Sequence, residues 1–147
     1  MPENKEQNIE EIVIEARREN LDQVLGFMDA HLERRDCPMK VMLQLDIAVE
    51  ELFVNIANYA YGDQVGQAVI QLQEEHDPEG ISITFIDEGM PFDPLAKPDP
   101  DVTLGAMDRS VGGLGIYMVK KSMDDMKYRY EDNRNILTIR KNLEDHG

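Results

Sequence analysis

Three groups of residues in this chain have the types and spacing to do chemistry. Glu51, Asn55 and Asn58 stand at i, i+4 and i+7. On a helix that spacing puts all three side chains on one face. The amide oxygen of Asn55 is a hard neutral ligand suited to Mg2+. The carboxylate of Glu51 can take a proton from an attacking hydroxyl or water. Glu50 stands beside it and could compete for that role. The second group is Asp87-Glu88-Gly89-Met90-Pro91. An aspartate here can accept a hydrogen bond from an exocyclic amino group such as that of adenine. Gly89 would let the backbone approach the ring closely. The third is Val111-Gly112-Gly113-Leu114-Gly115-Ile116. Glycines opening a helix expose N–H groups that suit phosphate. Each group alone has a plainer reading: a solvated helix face, an acidic turn, a flexible hinge.

The elements that must position these groups can be read from periodicity. Ile9–Ala16 alternates like a strand. Asn20 can cap a helix that runs to about Arg35, with Val24, Met28 and Leu32 at helical spacing. Pro38 suits the first turn of a longer helix from about Met39 to Ala60, with an apolar stripe of Leu45, Ala48, Val49, Leu52 and Ile56. Strands are expected over Gln67–Glu75 and Ile81–Ile86, separated by the turn Asp77–Gly80. Asp87–Val111 has no periodicity and holds Pro91, Pro94, Pro98 and Pro100. So long a segment inside a domain is usually a functional lid or disordered. The spacing then predicts a helix over Gly113–Asp124 and two strands, Met126–Glu131 and Ile136–Lys141. Asp132–Asn135 would be the hairpin turn between them. Helices grouped apart from hairpin strands predict an α+β fold, a mixed sheet covered on one face by helices.

Composition bounds the function. The 147 residues suit one domain. No apolar run approaches the roughly 20 residues that span a bilayer. The polar N-terminus is not a secretory signal, and Cys37 has no partner for an internal disulfide, so the expected location is the cytoplasm. The net charge of −15 argues against direct nucleic-acid binding and agrees with a basic protein partner. An acidic chain that holds a polyanion needs Mg2+ and backbone N–H groups to do so. His31, His76 and His146 are scattered, which argues against a zinc site and against a phosphoacceptor histidine domain. No GxxxxGK[ST] loop occurs, and the glycines lack the third glycine of a dinucleotide fingerprint.

Order and spacing join the three groups. Glu-x-x-x-Asn on a helix, Asp-x-Gly after a strand, a long lid and Gly-x-Gly opening a helix fall within about 65 residues. This succession resembles the N, G1 and G2 boxes of the GHKL ATPases. The likeness runs from Ile9 to Leu143 and is greatest to the small bacterial anti-sigma-factor serine kinases. It is carried by LDIAVEELFVNIANYAYG, FIDEGMPFDP and GGLGIYMVKKSMDDMKYRYEDNRNILTIRK.

The resemblance implies a two-layer α/β sandwich of the Bergerat type over residues 1–147, with a lid at about 88–111, binding ATP with Mg2+. It makes Glu51 the general base, because only Glu51 stands four before Asn55. Asn55 becomes the Mg2+ ligand, and Asn58 faces the phosphates one turn on. Asp87 binds the adenine amino group and Gly89 packs on the base. Gly112, Gly113, Leu114 and Gly115 form the phosphate-binding segment. The implied activity is phosphorylation of a serine or threonine on a STAS-type antagonist, by a homodimer that otherwise holds a sigma factor. The alternative is a nucleotide-switched binding module without phosphoryl transfer. Three positions depart from the family pattern. Pro91 replaces a common glycine, Tyr59 replaces a common histidine, and Arg109 lies further from the glycines than the comparable arginine.

Overall fold

Alternating apolar and polar residues build five strands, and two apolar stripes of helical period cover them. The computed structural model describes residues 9–76, 79–96 and 113–143, with the backbone alone at 113 and 114. Strand β1 is Ile9–Glu15, followed by helices α1, Leu21–Arg34, and α2, Met39–Tyr59. Strands β2, Gln67–Glu75, and β3, Gly80–Asp87, come next. Helix α3, Gly113–Ser122, precedes β4, Asp125–Glu131, and β5, Arg134–Asn142. The strands lie in the order β1-β2-β3-β5-β4. All four pairings are antiparallel, so the mainly antiparallel sheet expected from sequence has no parallel pair among the described residues. Residues 97–112 and Arg109 with them, most of the expected lid, lie outside the described residues.

The core sits between the sheet's inner face and the helices. Val24, Met28 and Leu32 of α1 recur every fourth residue and are fully buried. Leu45, Ala48, Val49, Leu52 and Phe53 of α2 meet Ile70, Leu72, Ile83, Phe85 and Ile139 in one cluster. Ile56, expected in the stripe, is only half-buried. Ile116 and Val119 bring α3 into the same cluster, so that helix is held by two apolar contacts near its start and middle.

Several boundaries depart from the sequence reading, each for a local reason. Asn20 does not cap α1 with its side chain. Its Nδ2 donates instead to the Glu15 carbonyl at 2.9 Å, tying the end of β1 to the helix start. Pro38 is the N-cap of α2 rather than a first-turn residue. At the end of α1, Asp36 takes φ 60°, with Cys37 N–H on the Leu32 carbonyl and Asp36 N–H on that of Glu33. That is the 6→1 and 5→2 pairing of a Schellman stop. The β4–β5 turn is tighter than expected. Asp132 and Asn133 both have positive φ, so two residues make the turn and Asn135 belongs to β5.

Helix α1 is fixed to the sheet edge by charge. Arg34 reaches Glu10 of β1 at 2.7 Å, and Arg35 reaches Glu74 of β2 at 3.1 Å and Glu79 at 2.7 Å. Between α1 and α2, the Asp46 carboxyl lies beside that of Asp29. Burial first, and the neighbouring Asp29 carboxyl second, push the Asp46 carboxyl up to about 7. The folded chain thus holds a proton that the unfolded chain releases above about pH 4. Stability linked to this proton is full below about pH 4 and is lost as pH rises through about 7.

Two outcomes follow from this packing. The unfolding midpoint of Asp46→Asn, measured by denaturant titration from pH 5 to 8, should vary less with pH than that of the wild type. At pH 8 the variant should be more stable by about 1 kcal/mol. Leu45→Ala should lower the unfolding free energy by about 2–5 kcal/mol, whereas exposed Leu43→Ala should change it by less than about 0.5 kcal/mol.

Candidate nucleotide-binding site

A pocket of about 200 Å³ opens between the C-terminal half of α2 and the ends of β3, β4 and β5. Its floor is Leu52, Ile56, Phe85 and Leu137, and its polar atoms come from Asn55, Asp87, Tyr128 and Asn135. Tyr59, Met90 and Phe92 stand at the rim, 39–60% exposed. A mostly apolar pocket with few polar groups suits a ring system.

Asp87 is the last residue of β3 and only 6% exposed. Gly89 N–H and Asn135 Nδ2 both donate to its Oδ1, each at 2.9 Å. Oδ2 has no partner among the described residues. Burial pushes the carboxyl pKa up, and the two donors pull it back. Gly89 is held by packing: a Cβ there would overlap the Ala60 carbonyl at the end of α2. Met90 N–H donates to that same carbonyl at 2.8 Å. Tyr61 completes the seam. Its hydroxyl accepts the Glu88 N–H at 2.8 Å and donates to the Gln67 carbonyl at 2.5 Å.

The other expected residues lie along α2 toward its N-terminus. Asn55 lines the pocket and is half-buried. Asn58 is exposed and does not line it. Glu51, a further turn away, lies outside the pocket at the contact between α2 and α3. Its carboxylate fills the space that a Cβ on Gly115 would take. Burial first, and the Glu50 charge second, raise the Glu51 pKa. Gly113 and Leu114 are the first two residues of α3, and Gly112 lies outside the described residues. Ala60, Asn55 and Glu51 therefore mark about 14 Å of one helix, at 1.5 Å per residue.

Sequence reading missed Asn135, which looked like part of a turn, and the two tyrosines. The signal available was the Asp132-Asn133 pair. Both residues tolerate positive φ, which shortens the turn and puts Asn135 in the strand. The register then sets Asn135 directly opposite Asp87.

Helices on one face of an antiparallel sheet, with a buried aspartate at the end of a central strand, define an ATPase fold of the GHKL type. Residues 14–141 match the histidine kinase-like ATPase domain, and the chain belongs to that family. Membership of that family implies an ATP-binding domain. The fold is similar to the crystal structure of the RsbU and RsbW domains of Rv1364c from Mycobacterium tuberculosis, with a TM-score of 0.66 at 14% identity. That match covers 92% of this chain and 32% of the other, so the chain spans about a third of that protein's length. The Acinetobacter baumannii histidine kinase AdeS gives a TM-score of 0.46 at 13% identity, over 97% of this chain and 72% of that one. No curated protein matches the sequence. Among the described residues no helix is long and apolar enough to cross a membrane.

The Gly115 contact gives a test. Alanine within a helix normally gains up to about 1 kcal/mol over glycine. Here its methyl would meet only the carboxylate end of the flexible, half-buried Glu51 side chain, which can swing aside. Gly115→Ala should therefore change stability by no more than about 1 kcal/mol in thermal or urea unfolding while displacing the Glu51 carboxylate. A loss of several kcal/mol would show that the carboxylate cannot move.

Proposed function

We propose that the protein is an ATP-dependent serine/threonine kinase and anti-sigma factor that phosphorylates a STAS-type antagonist protein. The observation that carries this reading is the order of groups along α2. A free buried acceptor at Asp87 lies by the helix C-terminus, Asn55 comes next, and Glu51 faces the start of α3. A nucleoside triphosphate presents a base, then a charged phosphate chain, then its reacting end in that same order.

The residues fit the group. Asp87 Oδ2 suits the adenine amino hydrogen, and the apolar slot suits the ring. Asn55 has the oxygen donor that Mg2+ favours. Among the described residues no cluster of three acidic, histidine or cysteine side chains stands ready for a metal. Mg2+ at a nucleotide site does not need one, because phosphate oxygens and water supply most of its ligands. Bound ATP would supply the phosphoryl group, and Mg2+ would offset its charge. The backbone N–H groups at the start of α3, with Gly112 before them, would hold phosphate oxygens. Glu51 would take the proton from the acceptor hydroxyl. Its raised pKa makes the carboxylate a better base. Asn58 would act only at the outer end of the site.

The partner follows from less. The net charge of −15 suits a basic partner, such as a sigma factor, through long-range attraction. The likeness to a structure that contains an RsbW domain agrees with a kinase of this class. A homodimer in the cytoplasm is part of the same reading.

The test separates binding from chemistry. Glu51→Gln keeps shape and removes the proton acceptor. It should leave ATP affinity within about threefold and slow transfer to the antagonist by roughly 100- to 10,000-fold. Asn55→Ala should lose Mg2+-dependent binding as well. Wild-type transfer that survives Glu51→Gln intact would move the role to Glu50. ATP binding with no transfer to the true partner would favour a nucleotide-switched binding module.

A further inference from the structure

We propose that Asn135 sets the base selectivity of the pocket, by holding Asp87 as a one-sided acceptor that takes an amino group and rejects a carbonyl. The proposal rests on the reading of Asp87 as the base contact.

Asn135 is 6% exposed, and its side chain meets three separate segments. Nδ2 donates to Asp87 Oδ1 and to the Met90 carbonyl, each at 2.9 Å. Oδ1 accepts the Phe92 N–H at 3.1 Å and the Tyr128 hydroxyl. This set fixes which way the amide points. If it were turned over, its oxygen would face a carboxylate and a carbonyl, and its NH2 would face the Phe92 N–H. Asn135 therefore meets Asp87 only as a donor.

The consequence falls on the other oxygen of Asp87. Oδ1 is saturated by Asn135 and the Gly89 N–H. Two donors on one oxygen favour the ionised carboxylate, against a burial that disfavours it. Oδ2 is then a pure acceptor with no partner among the described residues. It pairs with an exocyclic N–H, as on adenine. It repels a carbonyl oxygen in the same place, as on guanine. Without Asn135 one donor remains, and the buried carboxyl holds a proton more readily. A protonated carboxyl can donate to a carbonyl, so discrimination falls.

Asn135 touches no part of the base on this account, so it is a positioning residue. A merely structural role would weaken all nucleotides alike. A role in selectivity changes their ratio.

The experiment measures ATP and GTP affinity by calorimetry from pH 6 to 8 for the full chain. The variants are Asn135→Leu, which keeps the bulk, and Asn135→Asp, which keeps the shape and removes both N–H donors. Circular dichroism melts monitor folding. The wild type should prefer ATP with little dependence on pH. In either variant the ATP:GTP ratio should fall by on the order of tenfold or more, the worth of a hydrogen bond to a charged group. In Asn135→Leu the remaining preference for ATP should rise with pH as Asp87 ionises. If Asn135→Leu does not fold, the isosteric Asn135→Asp decides alone. A ratio within about twofold of wild type in a folded variant overturns the proposal, even if both affinities drop. Asp87→Asn distinguishes the two levels. If it abolishes the preference while the Asn135 variants keep it, only this inference fails. A wild type that binds neither nucleotide, or both equally, overturns the reading of Asp87 and the inference with it.

Discussion

A carboxylate removed from water stays charged only if donors replace the water it has lost. Asp87 meets that condition at the end of β3, and much of the fold around it exists to supply the donors. The β3–β5 register brings Asn135 opposite it. The close approach of Gly89 to the end of α2 brings the backbone N–H. That approach needs the Ala60 carbonyl uncovered at the helix terminus, where it accepts the Met90 N–H. Tyr61 then fastens the strand end from the other side. A substitution at any of these positions acts on Asp87 before it acts on a ligand.

Helix α2 carries the site because it packs on the sheet and also faces the pocket. Its inner stripe, from Leu45 to Phe53, anchors it to the sheet. Its adjoining face presents Asn55 to the pocket and Glu51 to α3. The spacing between Ala60, Asn55 and Glu51 is thereby set by helix rise rather than by loop conformation. Gly115 lets α3 come close enough to seat its first turn over Glu51. The glycine serves packing here.

The sequence made the scaffold legible where one face of an element is buried. Both long helices follow from period, because one-sided burial imposes it, and the five strands follow from period together with the turn signals between them. Asn55 and Asp87 were legible as a pair of motifs whose order mattered more than either motif. Asn135 was not, because its role is created by register across a pairing of distant strands. A turn of two residues rather than four moves it from loop to strand, and only Asp132 and Asn133 with positive φ decide this. Tyr61 and Tyr128 were hidden for a related reason. Their hydroxyls act on atoms far away in sequence or across a strand pair. Asn20 shows the opposite failure: the residue type was right for a cap, but the Glu15 carbonyl was the nearer acceptor.

The bond between Asp87 and Asn135 joins residues 48 apart, on strands β3 and β5. Helices α1 and α2 and the strands β1, β2 and β3 come from the residues that leave the ribosome first. The donors of Asp87 cannot be completed with them. A growing chain that has not yet delivered β5 has the helix, the apolar slot and the aspartate, but not the amide that orients it. The amide that orients Asp87 therefore arrives only with β5.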